Sequence, residues 1–158
     1  MGRCGVSVGS CEEALACLAD DSVQHIQLPV NLLDYRWREM PRFEAAMTEA
    51  VEERGVTVHA RSCFLQGTPV TDGPLWPEWA QDEGWPDRVL PPLDALVSEL
   101  GRQSRADLCV AYARALPRVT HVLIGMRSIS QLNQNLPLFD NVSSLIPVAM
   151  FLTFLPFV

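Results

Sequence analysis

Short β-like runs alternate with amphipathic helical stretches along most of this chain. The runs that read as strands are Gly5–Val8, His25–Val30, Val56–Ala60 and Val119–Ile124. Between them, apolar residues recur at the three- and four-residue spacing of a helix with one buried face. Regular alternation of strand and helix indicates a parallel sheet joined by right-handed crossovers. The sequence therefore predicts an α/β fold.

Helix-boundary residues support this reading. Ser10 is a predicted N-cap, Pro41 opens a second helix and Gly55 closes it, and Ser128 begins a short helix that runs to Leu136. Two further helical patterns lie between these, around Leu93–Leu100 and Cys109–Leu116. Four strand–helix units are compatible with a small open sheet or with half of an eight-stranded barrel, and the pattern alone leaves both open.

Two segments depart from the alternation. Arg61–Pro92 is rich in proline, contains Trp76, Trp79 and Trp85, and is predicted to be a long loop whose aromatic rings cover a ligand or dock the loop. Residues 141–158 carry no charge and form an atypical apolar tail. The tail is shorter than the roughly 20 residues that span a bilayer, so we do not expect a membrane anchor. A core-completing segment and an altered coding end remain open.

Charge and residue usage exclude several functions. The net charge of −7 and the absence of basic clusters exclude a nucleic-acid-binding protein. All 12 basic residues are arginines, so this chain supplies no lysine base, Schiff base or P-loop lysine. The five cysteines lack metal-ligand spacing, and no signal peptide is evident. Free thiols in the cytoplasm are therefore expected.

Polar residues follow three of the predicted strands, where parallel folds place their sites. Ser7 offers a hydroxyl, and Gln27 sits within an apolar strand where its amide needs a partner. That partner is a bound carboxamide or a neighbouring backbone group. After the last strand, Arg127 and Ser128 provide a cation and a hydroxyl at a helix start, a suitable seat for one phosphate group.

In this order, GVSV, HIQLPVNLLD, GVTVHARSCFLQG and THVLIGMRSISQLNQNLPLF resemble the aldo/keto reductase family over about Gly5 to Phe139. The resemblance implies the C-terminal half of a TIM (β/α)8 barrel, with residues 1–140 as a partial reductase domain. It also implies NADP as cofactor and, for the family, carbonyl reduction by hydride transfer.

The resemblance implies roles at matching positions. Ser7 and Gln27 match residues that hold the nicotinamide carboxamide. The residues that match the loop along the pyrophosphate are Ser62, Phe64, Leu65 and Gly67. Those that match the segment gripping the 2′-phosphate and adenine are Gly125, Met126, Arg127, Ser128, Gln131 and Asn135.

Some positions depart from the family pattern. Val8 stands where many members have asparagine, and Arg61 stands where many have the tyrosine that stacks on the nicotinamide ring. The catalytic Asp, Tyr, Lys and His set belongs to the first four βα units, which these residues do not match. Tyr35 and Tyr112 have no lysine beside them to lower their pKa. His25, His59 and His121 are expected to have core or surface roles.

The sequence thus predicts a fragment of an NADP-dependent reductase that holds the cofactor and does not turn over by itself. A partner chain supplying the N-terminal half barrel would restore the catalytic set. The alternatives are a non-catalytic nucleotide-binding or interaction protein, and a truncated product without function.

Overall fold

A computed structural model describes residues 2–34, 37, 40–72 and 84–140 of the protein. The described residues form one sheet of four parallel strands in the order β1–β2–β3–β4, which is also their order in the chain. The strands are β1 (Cys4–Ser7), β2 (Val23–Pro29), β3 (Thr57–Arg61) and β4 (His121–Val122). The predicted parallel α/β sheet is confirmed, and β4 is much shorter than the predicted Val119–Ile124.

Six α-helices accompany the sheet within the described residues. They are α1 (Cys11–Leu18), α2 (Pro41–Thr48), α3 (Trp85–Glu99), α4 (Arg105–Ala115), α5 (Ile129–Asn135) and α6 (Pro137–Asp140). A π-helical turn, Glu49–Glu53, continues α2 before Gly55 reverses the chain with a φ of +67°. Within the described residues, none of these helices is long and apolar enough to cross a bilayer.

The predicted loop Arg61–Pro92 is wrong at its end, because α3 already begins at Trp85 and includes Pro91 and Pro92. Proline in a helix interior costs about 3 kcal/mol, since it lacks the N–H donor of the helical ladder. Leu93 and Leu96 on the same helix are completely buried. Val89 on this helix is buried too, and burying each of the three side chains contributes about 1.5–3 kcal/mol, which together offsets the cost of the two prolines. Trp76 and Trp79 lie outside the described residues, as does the tail at 141–158.

Three helices begin with the same reciprocal cap. The hydroxyls of Ser10, Ser104 and Ser128 each accept a hydrogen bond from the backbone N–H three residues later. In each case the side chain of that later residue accepts a hydrogen bond from the backbone N–H of the residue that precedes the serine. The accepting side chains are those of Glu13, Asp107 and Gln131. This capping satisfies donors that a helix start otherwise leaves free.

The hydrophobic core lies on one face of the sheet. Ile26, Val58 and Ala60 have no exposed surface, and they pack with residues of α1 to α4, among them Leu93 and Leu108. Because side chains alternate along a strand, the neighbouring residues of β2 and β3 point to the opposite face. The core therefore occupies the helix side, and polar residues occupy the other side.

Gly5 permits the close approach of β1 to β2. A Cβ atom at Gly5 would lie 2.8 Å from the Cβ of His25 and 3.2 Å from its carbonyl oxygen. Neither of these atoms belongs to the flexible end of a side chain. Only glycine therefore fits at this register position without moving one of the strands.

We expect Gly5→Ala to lower the free energy of unfolding by about 1–3 kcal/mol, since overpacking forces backbone shifts. Gly2→Ala is the matched control, because a Cβ there meets nothing within 4 Å. Urea denaturation followed by circular dichroism measures both. Equal stability of the two variants would contradict the close approach of the strands.

Candidate functional site

The open face of the sheet carries a groove over β1, β2 and β3. Its volume is about 380 Å³, and it is lined by Gly5, Val6, Ser7, His25, Ile26, Gln27 and His59. Small-molecule pockets usually occupy several hundred cubic ångströms and have a few convergent polar groups. This groove meets that description, with polar groups from three strands.

Ser7 and Gln27 are paired within this groove. They are neighbours in the β1–β2 register, and the Ser7 hydroxyl donates to Oε1 of Gln27 at 3.1 Å. The side chain of Gln27 is therefore paired with another side chain, and not with the backbone group that was the predicted alternative. The Gln27 NH2 group makes no hydrogen bond with any described residue, so it is available as a donor. The Ser7 oxygen keeps acceptor capacity.

Arg61 ties the ends of two strands together. Its Nη2 donates to the Val8 carbonyl at 3.0 Å and its Nη1 donates to Oγ of Ser62 at 3.2 Å. The side chain thus reaches from the end of β3 to the end of β1. Val8 is buried in the core with 4% exposure, so it offers nothing to a ligand. Both departures from the family pattern therefore have structural roles here.

The loop after β3 contains the residues predicted to follow the pyrophosphate. Ser62, Leu65 and Gln66 have φ values of 60°, 38° and 58°. Non-glycine residues in this left-handed region cost about 1–3 kcal/mol each and concentrate at functional sites. The turn is closed by hydrogen bonds from Leu65 N–H to the Ser62 carbonyl at 2.9 Å and from Gly67 N–H to the Phe64 carbonyl at 2.6 Å.

The segment after β4 contains the residues predicted to grip the 2′-phosphate. The Ser128 hydroxyl accepts from Gln131 N–H at 3.2 Å, and Arg127 N–H donates to Oε1 of Gln131 at 2.6 Å. Two of the expected backbone donors are therefore already used by the helix cap. The Arg127 guanidinium is exposed and makes no hydrogen bond or ion pair with the described residues.

Ser7 and Gln27 lie within β1 and β2, whereas the two loops with the other predicted cofactor residues follow the carboxyl ends of β3 and β4. Ser7 and Gln27 are brought into contact, whereas Gly125–Asn135 follows the opposite outer strand. Met126 in that segment is 42% exposed. The structure thus brings Ser7 and Gln27 into contact, whereas the other predicted cofactor residues lie in two separate loops.

The described residues that line the groove include Ser7, His25 and His59, and no tyrosine, aspartate or glutamate is among them. Tyr112 is buried within α4, as a packing residue should be, and Tyr35 lies outside the described residues. All five cysteines are free. Burial raises the pKa of the Cys63 thiol to about 11 and also raises the pKa of Cys109. Nor does the described part of the chain hold a three-residue metal-ligand cluster.

Sequence reasoning missed a row of imidazoles on the open face. The ring centroids of His25 and His59 are 5.7 Å apart, and those of His59 and His121 are 4.8 Å apart and stacked. Desolvation, then repulsion from His121 and His25, holds the pKa of His59 below its usual value of 6.5. The alternation of side chains in HIQ and VHAR indicates that these histidines point away from the apolar face of their strands. Which histidines then lie side by side depends on the strand register, which the sequence does not give.

Comparison with known proteins gives a fold and no sequence relative. No protein-family model matches the chain, and no curated protein does either. The fold is similar to that of the holo form of aldo-keto reductase AKR11C1 from Bacillus halodurans, with a TM-score of 0.62 and 22% identity. The similarity covers 96% of this chain and 48% of the reductase. The chain therefore has the fold of about half of an aldo-keto reductase barrel.

The His59 shift predicts how stability depends on pH. The unfolded chain takes up a proton as the pH falls below about 6.5, whereas the folded chain resists protonation at His59 until a lower pH. The free energy of unfolding should therefore be higher above pH 6.5 and decrease as the pH falls through that value toward the folded-state pKa. Thermal unfolding between pH about 5 and 8 measures this. His59→Gln should flatten the curve, and an unchanged slope would contradict the prediction.

Proposed function

We propose that this chain is the cofactor-holding half of an NADP-dependent reductase barrel of the aldo/keto reductase type. Ser7 and Gln27 hold the nicotinamide carboxamide, the loop from Ser62 to Gly67 follows the pyrophosphate, and Gly125–Asn135 holds the 2′-phosphate and adenine. The reduced cofactor, NADPH, would supply the hydride when bound and would leave as NADP+. The free thiols support a reducing compartment such as the cytoplasm.

The single observation that carries this proposal is the Ser7–Gln27 pair. The pair leaves one NH2 donor and one hydroxyl oxygen acceptor beside each other in a groove. A primary carboxamide has one carbonyl acceptor and one NH2 donor, so it complements both groups. Its carbonyl would accept from Gln27, and its NH2 would donate to Ser7. The residues therefore fit the nicotinamide end.

Support for the phosphate end comes from Arg127. Its guanidinium has no partner among the described residues, and arginine suits phosphate because its planar fork donates two parallel bonds. The helix that follows is only seven residues long and its cap already uses nearby donors. The proposal therefore assigns the 2′-phosphate mainly to the Arg127 side chain.

Hydride transfer to a carbonyl requires a proton donor, and in this proposal that donor comes from polypeptide beyond these residues. The chain contains no lysine to acidify a phenol. The open face and the outer edges of β1 and β4 would receive the other half of an eight-stranded barrel. The chain alone should bind cofactor without oxidising NADPH.

A second candidate is a nucleotide-binding protein without catalytic activity. The contacts of Arg61 favour it, because its guanidinium binds the Val8 carbonyl and Ser62 at the position where the resemblance expects a ring that stacks on nicotinamide. Both candidates share the carboxamide pair, and they differ in whether a complementary half barrel restores NADPH oxidation with an aldehyde.

Calorimetric titration tests cofactor binding. Gln27→Ala should weaken binding of NADP and of nicotinamide mononucleotide roughly tenfold, the effect of about one lost hydrogen bond. Arg127→Ala should weaken NADP and leave nicotinamide mononucleotide unchanged, since only NADP carries the 2′-phosphate. The two variants therefore report on opposite ends of the cofactor.

Gln24→Ala is the matched control, because Gln24 is an exposed glutamine on the same strand with a side chain outside the groove. It should bind both ligands as the original chain does. Absence of heat with either ligand, or equal losses for Gln24→Ala and Gln27→Ala, would overturn the assignment of the carboxamide site.

A further inference from the structure

Every histidine of this chain lies in one row on the open face of the sheet. The sequence contains three histidines, and they occupy β2, β3 and β4 at neighbouring positions. His59 and His121 are direct partners in the strand register, and their rings are nearly parallel, with an angle of 12°. The rings of His25 and His59 meet edge to face, at 62°. A continuous strip of imidazoles therefore crosses three strands.

No acidic residue belongs to the sheet that carries this strip. The sequences of the four strands contain no aspartate or glutamate, although the chain as a whole has a net charge of −7. By strand alternation the charged or titratable groups on the open face are His25 on β2, His59 and Arg61 on β3, and His121 on β4. None of the three imidazoles forms an ion pair with a described carboxylate.

The strip offers hydrogen-bond donors from Gln27 and from its imidazoles when these are protonated. The Ser7 hydroxyl donates to Oε1 of Gln27, and the Gln27 NH2 group has no partner among the described residues. The Thr120 hydroxyl donates to the Val58 carbonyl at 2.7 Å, so Nδ1 of His121 donates to that hydroxyl at 3.0 Å, and Nε2 is a donor only in the protonated ring. Each imidazole that takes up a proton becomes a donor at both nitrogens and gains a positive charge. The face is thus prepared for oxygen atoms that carry negative charge.

We propose that the His25–His59–His121 row, together with Gln27, binds a small oxyanion, a carboxylate or a phosphate-like group, and that proton uptake by the row loads the site. A metal ion is a poorer ligand, since near-parallel stacked rings do not direct their nitrogen lone pairs to one point. The described residues also form no metal-ligand cluster. A bound anion opposes the desolvation and the repulsion from His121 and His25 that lower the pKa of His59.

This inference does not rest on the proposed function, although both use the Gln27 NH2 group, so that the two ligands would compete for it. The carboxamide end of NADP is uncharged, so its binding to Ser7 and Gln27 does not require protonated histidine. NADP binding can fail while oxyanion binding succeeds, and the reverse is also possible. The probes are therefore simple anions and not nucleotides.

Nuclear magnetic resonance of the imidazole C–H groups tests the proposal directly, because the chain has three histidines and therefore only six such groups, two in each ring. Sulfate and oxalate are titrated at constant ionic strength at pH about 5.5 and about 8.5, a range over which both anions keep their charge. We expect saturable shifts at the lower pH and at least roughly tenfold weaker binding at the higher pH, since imidazole loses its proton near 6.5. Preference for sulfate indicates a phosphate-like ligand, and preference for oxalate a carboxylate.

His59→Gln and His121→Gln should each weaken the binding severalfold at low pH. His121 is exposed, so its replacement keeps the fold and remains informative if His59→Gln does not fold. Arg42→Gln, which removes an exposed positive charge on α2, should bind as the original chain does. Unshifted histidine signals, equal affinity at both pH values, or an equal loss in Arg42→Gln would overturn the proposal.

Discussion

Side chains alternate between the two faces of each strand, and in this sheet helices pack against one face only. Ile26 and Val58 are completely buried on the helix side. Their neighbours Gln27 and His59 necessarily point the other way. Parallel pairing then aligns residues of equal parity across strands, so that Ser7, Gln27, His59 and His121 form one row of register partners. The polar face is a direct consequence of burying the apolar one.

This polar face differs from the interior expected of a closed barrel. Barrel interiors of this class are filled mainly by branched apolar side chains, whereas this face presents serine, glutamine, histidine and arginine. Polar groups enclosed by a second half barrel would require hydrogen-bond partners from it, because unsatisfied buried groups cost about 1–3 kcal/mol each. Both proposals therefore require that a complementary polar ligand or protein surface contacts this face.

Local signals predicted much of the fold. The strands at His25 and Val56, the cap at Ser128 and the turn at Gly55 follow from periodicity and capping chemistry, which act over a few residues. The helical course of Pro91 and Pro92 could not be predicted in this way, because packing of Val89, Leu93 and Leu96 in the core outweighs the local preference of proline.

The candidate site could likewise be predicted only where it depends on local sequence and not on the pairing of strands. The sequence indicates a polar role for Ser7 and for Gln27 separately, whereas their contact with each other depends on the pairing of β1 with β2 and was not predicted. The imidazole row and the contacts of Arg61 depend on register across strands and were not foreseen. The assigned roles of the loops at Ser62–Gly67 and Gly125–Asn135 stay predictions.

The most direct test of this arrangement is a nuclear Overhauser measurement between the histidine rings. His59 sits between its neighbours at centroid distances of 5.7 Å and 4.8 Å. Its ring protons should therefore show cross peaks to both His25 and His121, with none joining His25 to His121. Cross peaks from His59 to neither ring would contradict the strand order and the shared open face.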